Sequence, residues 1–205
     1  GARPPTRDGE GAEPAAWRLV RWISDHALSL AGWGYVLMTL IIGFDVLARR
    51  LLGFSTEATA ELTGYLLAIG MTLGLAGTLF DRAHVRIDVL VQRLPLRWRV
   101  WLHLFALAAL LVVAGFMGFG AVSLALDSAQ LGATDLSALR TPLVVPQGLW
   151  AGGFVLLVLA VLAIGARSLA QLAAGRAEGV DRSLSARTYE DEAQETLEAV
   201  ARKPS

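Results

Sequence analysis

Five ionisable residues lie near the ends of two neighbouring apolar stretches, where an unpaired charge is costly. Asp45 and Arg49 are four residues apart, as are Glu57 and Glu61, so each pair shares one face of a helix. A tight hairpin would place the two glutamates opposite Arg49 and Arg50. Such a cluster could bind an ion or a substrate, or it could lock the hairpin together or to a partner chain. We favour salt bridging, because two acids facing two bases leave little net charge to hold an ion.

The three histidines are a second candidate for chemistry, as ligands of a haem or a metal ion. Histidines on neighbouring helices can ligate haem in membrane proteins. Of His26, His84 and His103, only His103 lies within an apolar stretch, and no second histidine sits at a comparable depth. Asp81, His84 and Asp88 could hold a metal, but in their arginine-rich loop we expect helix capping and interfacial pairing instead. We therefore predict that this chain itself binds no cofactor and no metal.

Enzymatic motifs are missing from the sequence. It has no cysteine, which excludes thiol catalysis and thiolate metal sites. It has no P-loop, no HExxH, no G-x-S-x-G and no glycine-rich dinucleotide turn. We therefore expect that the chain is not an enzyme.

Four long apolar stretches must position the ionisable residues. Each has about the length of a helix that crosses the hydrocarbon core, roughly 20 residues, and the second and fourth contain no charged residue. Hydrophobic residues make up 55% of the chain and the mean hydropathy is +0.53, both high for a soluble domain. We predict an all-α integral membrane protein with four transmembrane helices and short interfacial helices. The four stretches are 27–47, 62–80, 101–126 and 148–166.

The basic residues predict how the chain is oriented. Fifteen of the 18 arginine and lysine residues lie before the first stretch, between the second and third, or after the fourth. The other two connections hold only Arg49, Arg50 and Arg140. By the positive-inside rule, both termini and the middle loop are cytoplasmic. We expect a disordered segment over 1–16, a membrane domain over 17–171 and a polar cytoplasmic tail over 172–205. The tail carries seven acidic residues and a narrow apolar stripe, so it could form a loosely docked helix, but we favour a solvated tail.

The first connection predicts a tight helical hairpin. Gly53 can end the first helix in a left-handed conformation, and Ser55 or Thr56 can cap the second. So short a connection makes the two helices antiparallel neighbours. Residues 15–26 form either a short interfacial helix or an extension of the first span, and the sequence leaves both open.

Five further positions are structural or interface candidates. Gly70 and Gly74 form a small-xxx-small pair, where a helix from a partner chain could approach closely. Asp88 can cap a short helix in the middle loop. The last loop, about 127–146, is roughly 20 residues long, which is unusual for a structureless connection. It ends in an apolar segment stiffened by Pro142 and Pro146.

The order of these features resembles the small membrane subunit of tripartite ATP-independent periplasmic (TRAP) transporters, the DctQ-type small permease. Glu57 and Glu61 open the second span in the way typical of that family. RAHVRID at 82–88, which includes His84 and Asp88, resembles the family pattern R-x-x-H-hydrophobic-x-hydrophobic-D, with one residue rather than two between Arg82 and His84. The other two pieces are FDVLARR at 44–50 and TPLVVPQ at 141–147. The resemblance covers roughly 28–169.

The resemblance implies a division of labour among three proteins in the bacterial inner membrane and periplasm. A periplasmic binding protein would capture an organic acid, and a large membrane subunit would carry it by symport, commonly with sodium ions. The small subunit would pack against the static part of the large one and hold no substrate site. Two alternatives remain open: a self-contained ion-coupled transporter using Glu57 or Glu61, and a haem-bearing membrane anchor.

Overall fold

The computed structural model describes residues 15–55, 58–81, 94–137 and 139–184. Within them the chain is all-α, and four of its helices are long and apolar enough to cross a membrane, which confirms the predicted fold class. The predicted disordered segment lies outside the described residues, apart from its last two positions. The helices are α1 (Ala15–Leu51), α2 (Thr59–Phe80), α3 (Leu96–Leu131), α4 (Val144–Ala173) and α5 (Ala177–Leu184).

The first helix is much longer than the apolar stretch that predicts it. α1 runs without a break for 37 residues, about 55 Å at 1.5 Å per residue. Of the two alternatives for 15–26, the structure therefore has the extension of the first span. Trp17 stabilises this extension by packing edge-on against Phe80, with ring centroids 5.2 Å apart, and by lying under the guanidinium of Arg167 at 4.6 Å.

The turn between α1 and α2 agrees only in part with the sequence prediction. Gly53 has a φ of +74°, the left-handed conformation predicted for it. Ser55 does not cap α2, because the helix begins at Thr59 and Ala58 occupies the capping position without a side-chain hydrogen bond. The Ser55 hydroxyl instead bonds to Asp45, ten residues earlier. Thr56, the other predicted cap, lies outside the described residues.

The loop between α3 and α4 is shorter and more ordered than predicted. α3 continues to Leu131 and ends at Gly132, whose φ of +59° is left-handed. α4 already begins at Val144. Pro146 lies in its first turn, where the missing N–H of proline breaks no helical hydrogen bond, so the helix can include it. The predicted loop of roughly 20 residues therefore reduces to 132–143.

The four long helices pack side by side in the order α1, α2, α4, α3. α1 packs on α2, α2 on α4, and α4 on α3, with a smaller contact between α1 and α4. α2 and α4 run in the same direction at the centre, while α1 and α3 form the two edges. The molecule is thus a layer of helices rather than a closed bundle around one axis.

The two ends of this layer differ in what they hold. We call the end with the α1–α2 turn and the α3–α4 loop the turn end. The opposite end, with the start of α1, the end of α2 and the short helix α5, is the terminal end. Large apolar side chains stay exposed on all four long helices, as expected for a chain whose solvent is lipid. Trp33 on α1 and Phe105 and Phe116 on α3 are each at least 71% exposed.

Small residues set the spacing between the helices. The core where α2, α3 and α4 meet includes Ala76, Ala114 and Ala160, each at most 2% exposed. A Cβ added to Gly153 of α4 would lie 2.6 Å from the Cβ of Thr72 on α2. Such close approach increases dispersion contacts between helices, which is the main source of packing energy where no hydrophobic effect acts inside lipid.

Candidate functional site

A buried carboxylate at the turn end anchors the candidate charge cluster. Asp45 is only 2% exposed, and Arg49, one helical turn later on α1, forms an ion pair with its Oδ2 atom. The Ser55 hydroxyl donates to the other carboxylate oxygen at 3.2 Å and accepts from Arg49 at 3.3 Å. The predicted pairing of Asp45 with an arginine is present, and Ser55 extends it across the turn.

The two arginines at the end of α1 have different surroundings. Arg49 is the one that pairs with the buried acid, although 64% of its side chain is exposed. Arg50 is exposed and forms no ion pair with an acid among the described residues. The sequence did not decide between them, and the structure assigns the pairing role to Arg49. Glu57 lies outside the described residues, so its predicted pairing stays a prediction.

Glu61 does not face the arginines, and the prediction for it is wrong. Its Oε1 atom accepts a hydrogen bond from Tyr65 at 3.1 Å, and Oε2 accepts one from Ser137 in the α3–α4 loop. The reason is helical rotation: Thr59 lies on the side of α2 near Arg49, and two residues turn the helix by about 200°. Glu61 therefore points away from α1 and toward the loop.

The α3–α4 loop is fastened to α2 by these polar contacts. The Tyr65 hydroxyl lies 2.6 Å from Oδ2 of Asp135, a residue 70 positions later in the chain. Within the loop, Pro142 and Thr134 form an antiparallel bridge, flanked by a 3.0 Å hydrogen bond from the Asp135 N–H to the Thr141 carbonyl. A loop of this length thus has a defined backbone and a defined place on α2.

The two prolines of the entry to α4 have separate structural roles. Pro142 takes part in the bridge that closes the loop, and Pro146 is buried in the first turn of α4. Leu136, near the loop tip, is fully exposed. Both prolines therefore shape the turn end, while the tip presents an apolar side chain outward.

The glycines of α2 contact α1 of the same chain. A Cβ on Gly70 would lie 3.0 Å from the ring of Tyr35, and one on Gly77 would lie 2.6 Å from the Cβ of Leu28. Gly74 also faces Leu28, at 3.8 Å. The expected close helix approach is real, but it joins α1 to α2. The expectation that Gly70 and Gly74 accept a partner's helix is wrong, since α1 already occupies that side.

A second charged cluster, which sequence reasoning missed, lies at the terminal end. Arg99 of α3 forms an ion pair with Asp181 of α5, and Nε2 of His103 lies 3.6 Å from the same carboxylate. Val180 and Leu184 of α5 are buried beside Val100. The available signal was spacing, because Arg99 and His103, like Val180 and Leu184, are four residues apart.

The helix α5 shows that the first part of the tail is docked rather than solvated. Residues 177–184 are docked on α3 and α4, since Val180 and Leu184 bury their side chains and Asp181 pairs with Arg99. The acidic residues of the tail favour solvation on average, whereas docking depends on three residues, Val180, Asp181 and Leu184. Residues 185–205 lie outside the described part of the chain.

The two described histidines, His26 and His103, have separate partners. Nδ1 of His26 lies 2.8 Å from the Trp22 carbonyl oxygen, and the imidazole packs at a tilt against the Trp22 indole. His103 is engaged with Asp181 on the far side of the layer. Within the described ranges no three metal-binding side chains converge. His84 and Asp88, of the possible metal site and the family-like loop, lie outside those ranges.

Together, these features define a polytopic membrane protein whose polar clusters join its own helices and loops. The family model described as Tripartite ATP-independent periplasmic transporters, DctQ component, matches residues 38–171. The chain belongs to this family, whose members are the small permease components of TRAP transporters. No curated protein and no solved structure gives a match. The helix α5 lies beyond the matched residues.

Proposed function

We propose that this chain is the non-catalytic small membrane subunit of a TRAP transporter, which scaffolds a large transport subunit in the bacterial inner membrane. The membership in the DctQ family carries the proposal. In it, a periplasmic binding protein delivers an organic acid, and the large subunit moves that acid by symport. Coupling ions, sodium by the resemblance, would bind on the large subunit and not on this chain.

The arrangement of helices supports a scaffolding role. A layer one helix thick encloses no path across the membrane by itself, and the long helices described carry their charged groups near the two ends. Transporters that bind solutes at mid-membrane commonly do so with helices broken there. α2, α3 and α4 run unbroken between their stated ends. A layer with wide apolar faces is suited to pack against a larger membrane protein.

Two acidic residues of the turn end, Asp45 and Glu61, are engaged in holding the fold. Asp45 is bonded to Arg49 and Ser55, and Glu61 is bonded to Tyr65 and Ser137. A self-contained transporter that uses Glu57 or Glu61 as its coupling acid is the second candidate. For Glu61, its hydrogen bonds to a loop favour the structural role.

The fastened α3–α4 loop is a candidate contact for the binding protein. Its attachment to α2 through Tyr65 and Glu61 holds the exposed Leu136 in place. If the positive-inside orientation holds, this loop lies on the periplasmic side. A fixed loop loses less conformational entropy on binding than a free one, which favours docking at this site.

Reconstituted transport separates the candidate functions. Proteoliposomes would contain this chain alone, the large subunit alone, or both, each with and without binding protein and a sodium gradient. We expect uptake of a labelled organic acid only when all three proteins are present. Gradient-driven uptake by this chain alone would overturn the proposal and favour the self-contained transporter, with Glu61→Gln as the variant that should then abolish it. A Soret band in the purified chain would instead favour the haem anchor.

A further inference from the structure

A groove of about 420 Å³ opens at the turn end between α1 and the start of α2. Its apolar half is formed by Ile42 and Val46, which are 42% and 57% exposed. Its basic half is formed by Arg49 and Arg50, one turn further along α1, and the other two lining residues are Asp45 and Thr59. The spacing of 42, 46, 49 and 50 places apolar and basic residues along one face of the helix.

The charges lining this α1–α2 groove are not balanced. Asp45 is buried and bonded to Arg49 and Ser55, so its charge is already neutralised within the chain. Arg50 is exposed and has no acidic partner among the described residues. Counting the described residues, the groove therefore holds one more guanidinium than carboxylate, and a guanidinium is a strong bidentate donor for phosphate and carboxylate oxygens.

We propose that the α1–α2 groove binds an anionic phospholipid, with its phosphate on Arg50 and an acyl chain along Val46 and Ile42. Other apolar side chains of α1 at a similar depth are also exposed, among them Leu40 and Leu47 at 64% and 60%. A ligand that fits both halves needs a negative head and an apolar tail. A free phosphate ion or a carboxylate from a partner protein would satisfy only the basic half.

The position of the groove suits the boundary between hydrocarbon and headgroups. Arg50 follows the predicted span 27–47 by three residues, which is the depth at which cationic side chains meet lipid phosphates. The site is separate from the proposed transport function, since it uses only this chain and needs no large subunit. It predicts an individual, retained lipid rather than a general preference for membranes.

Lipid retention by the full purified chain tests the proposal. The protein would be extracted in a mild detergent, and bound lipid would be counted by native mass spectrometry. Unfolding temperature would be measured while phosphatidylglycerol or phosphatidylcholine is added. We expect retained anionic lipid and a higher unfolding temperature with phosphatidylglycerol. Arg50→Gln should weaken the apparent lipid affinity roughly tenfold, since it removes charged hydrogen bonds. Arg140→Gln, at an exposed arginine of the α3–α4 loop, is the matched control and should retain the lipid.

Two further arms identify what occupies the groove. Val46→Trp fills the apolar half and keeps both arginines, so it should also reduce lipid retention. Inorganic phosphate and glycerol phosphate should not stabilise the protein, and stabilisation equal to that by the lipid would overturn the proposal. Equal lipid loss in the Arg50 and Arg140 variants would overturn it as well. So would unchanged lipid binding by Arg50→Gln together with weaker co-purification of the large subunit, because Arg50 would then pair with a partner's acid.

Discussion

Asp45 is a carboxylate at the turn end whose burial is compensated from two directions. Arg49 approaches along the same helix, and Ser55 approaches from beyond the turn. Because a buried ionised group that loses its partner keeps its full desolvation cost, the pair matters more than an ordinary surface salt bridge. At this scale the charge cluster divides into a structural half, Asp45 with Arg49, and an accessible half, Arg50.

Replacing Arg49 with Leu should therefore destabilise the protein. We expect a loss of about 1–3 kcal/mol, the cost of leaving a buried polar group unsatisfied. This is below the value for a fully buried pair because 64% of the Arg49 side chain is exposed. Thermal or denaturant unfolding in detergent, followed by tryptophan fluorescence, measures the effect. Arg50→Leu is the control and, in protein freed of bound lipid, should change stability by less than about 0.5 kcal/mol.

A double mutant tests whether the Asp45–Arg49 pair contributes to stability. Asp45→Asn combined with Arg49→Leu should be less destabilising than the sum of the single changes, because the unpaired charge is then gone. Additive effects would mean that the ion pair contributes nothing. A larger effect from Arg50→Leu than from Arg49→Leu would reverse the assignment of the two arginines.

A polar contact could be predicted from the sequence when its two residues are close along the chain, and not when they are far apart. The Asp45–Arg49 pair follows from helical periodicity, since both residues lie on one helix. The contacts of Glu61 with Ser137 and of Tyr65 with Asp135 join residues 76 and 70 positions apart. Their formation depends on the path of the α3–α4 loop, which no local pattern encodes.

At the scale of helices, close packing rests on individual glycines. Gly152 and Gly153 are neighbours on α4, yet only Gly153 faces Thr72 of α2. Gly153→Ala should destabilise by about 1–3 kcal/mol, because a methyl group there overpacks the α2–α4 contact. Gly152→Ala meets open space and should be neutral or stabilising by up to about 1 kcal/mol through helix propensity. Unfolding of the two variants in detergent, side by side, gives the comparison. Equal stabilities would show that α2 and α4 are further apart than described.

The docking of α5 is the second element with a direct test. Truncation after Arg176 removes Val180, Asp181 and Leu184, and leaves Val100 and Arg99 without their contacts. We expect a clear drop in unfolding temperature for this variant. Truncation after Leu184 keeps the helix and is the matched control, expected to match the full chain. A drop in unfolding temperature only for the chain that ends at Arg176 would confirm that docked α5 stabilises the protein. A drop of equal size in both truncated chains would assign the stability to residues 185–205.

The four long helices could be predicted because their signal is strong and local. Roughly 20 apolar residues without charge leave few structures other than a membrane helix. Helix ends were harder, since the polar segment 15–26 and the segment 127–131 continue their helices beyond the apolar runs. Docking of α5 was missed because only three of its residues carry the contact, within a segment that is polar on average.

At the scale of the whole molecule, the layer links the positions of the two loops. Contacts between α2 and the α3–α4 loop place that loop at the same end as the α1–α2 turn. At the opposite end, Trp17 contacts Phe80 and Arg167, and Asp181 of α5 pairs with Arg99. The two connections that are poor in basic residues therefore share one end, and the start of α1 shares the other with α5.

This geometry turns the orientation of the chain into a sharp prediction. The positive-inside rule places the terminal end in the cytoplasm, since 15 of the 18 basic residues precede the first apolar stretch, lie between the second and third, or follow the fourth. A reporter fused after Ala133, in the α3–α4 loop, should report a periplasmic position, and one fused after Ser205 a cytoplasmic one. A cysteine introduced at Ser55 should be labelled by an impermeant thiol reagent added from the periplasmic side. Because the chain has no other cysteine, labelling reports on this position alone. Labelling of Ser55→Cys from the cytoplasmic side, or a periplasmic reporter after Ser205, would invert the layer. The α3–α4 loop could then no longer meet a periplasmic binding protein, so the docking proposal and the orientation stand or fall together.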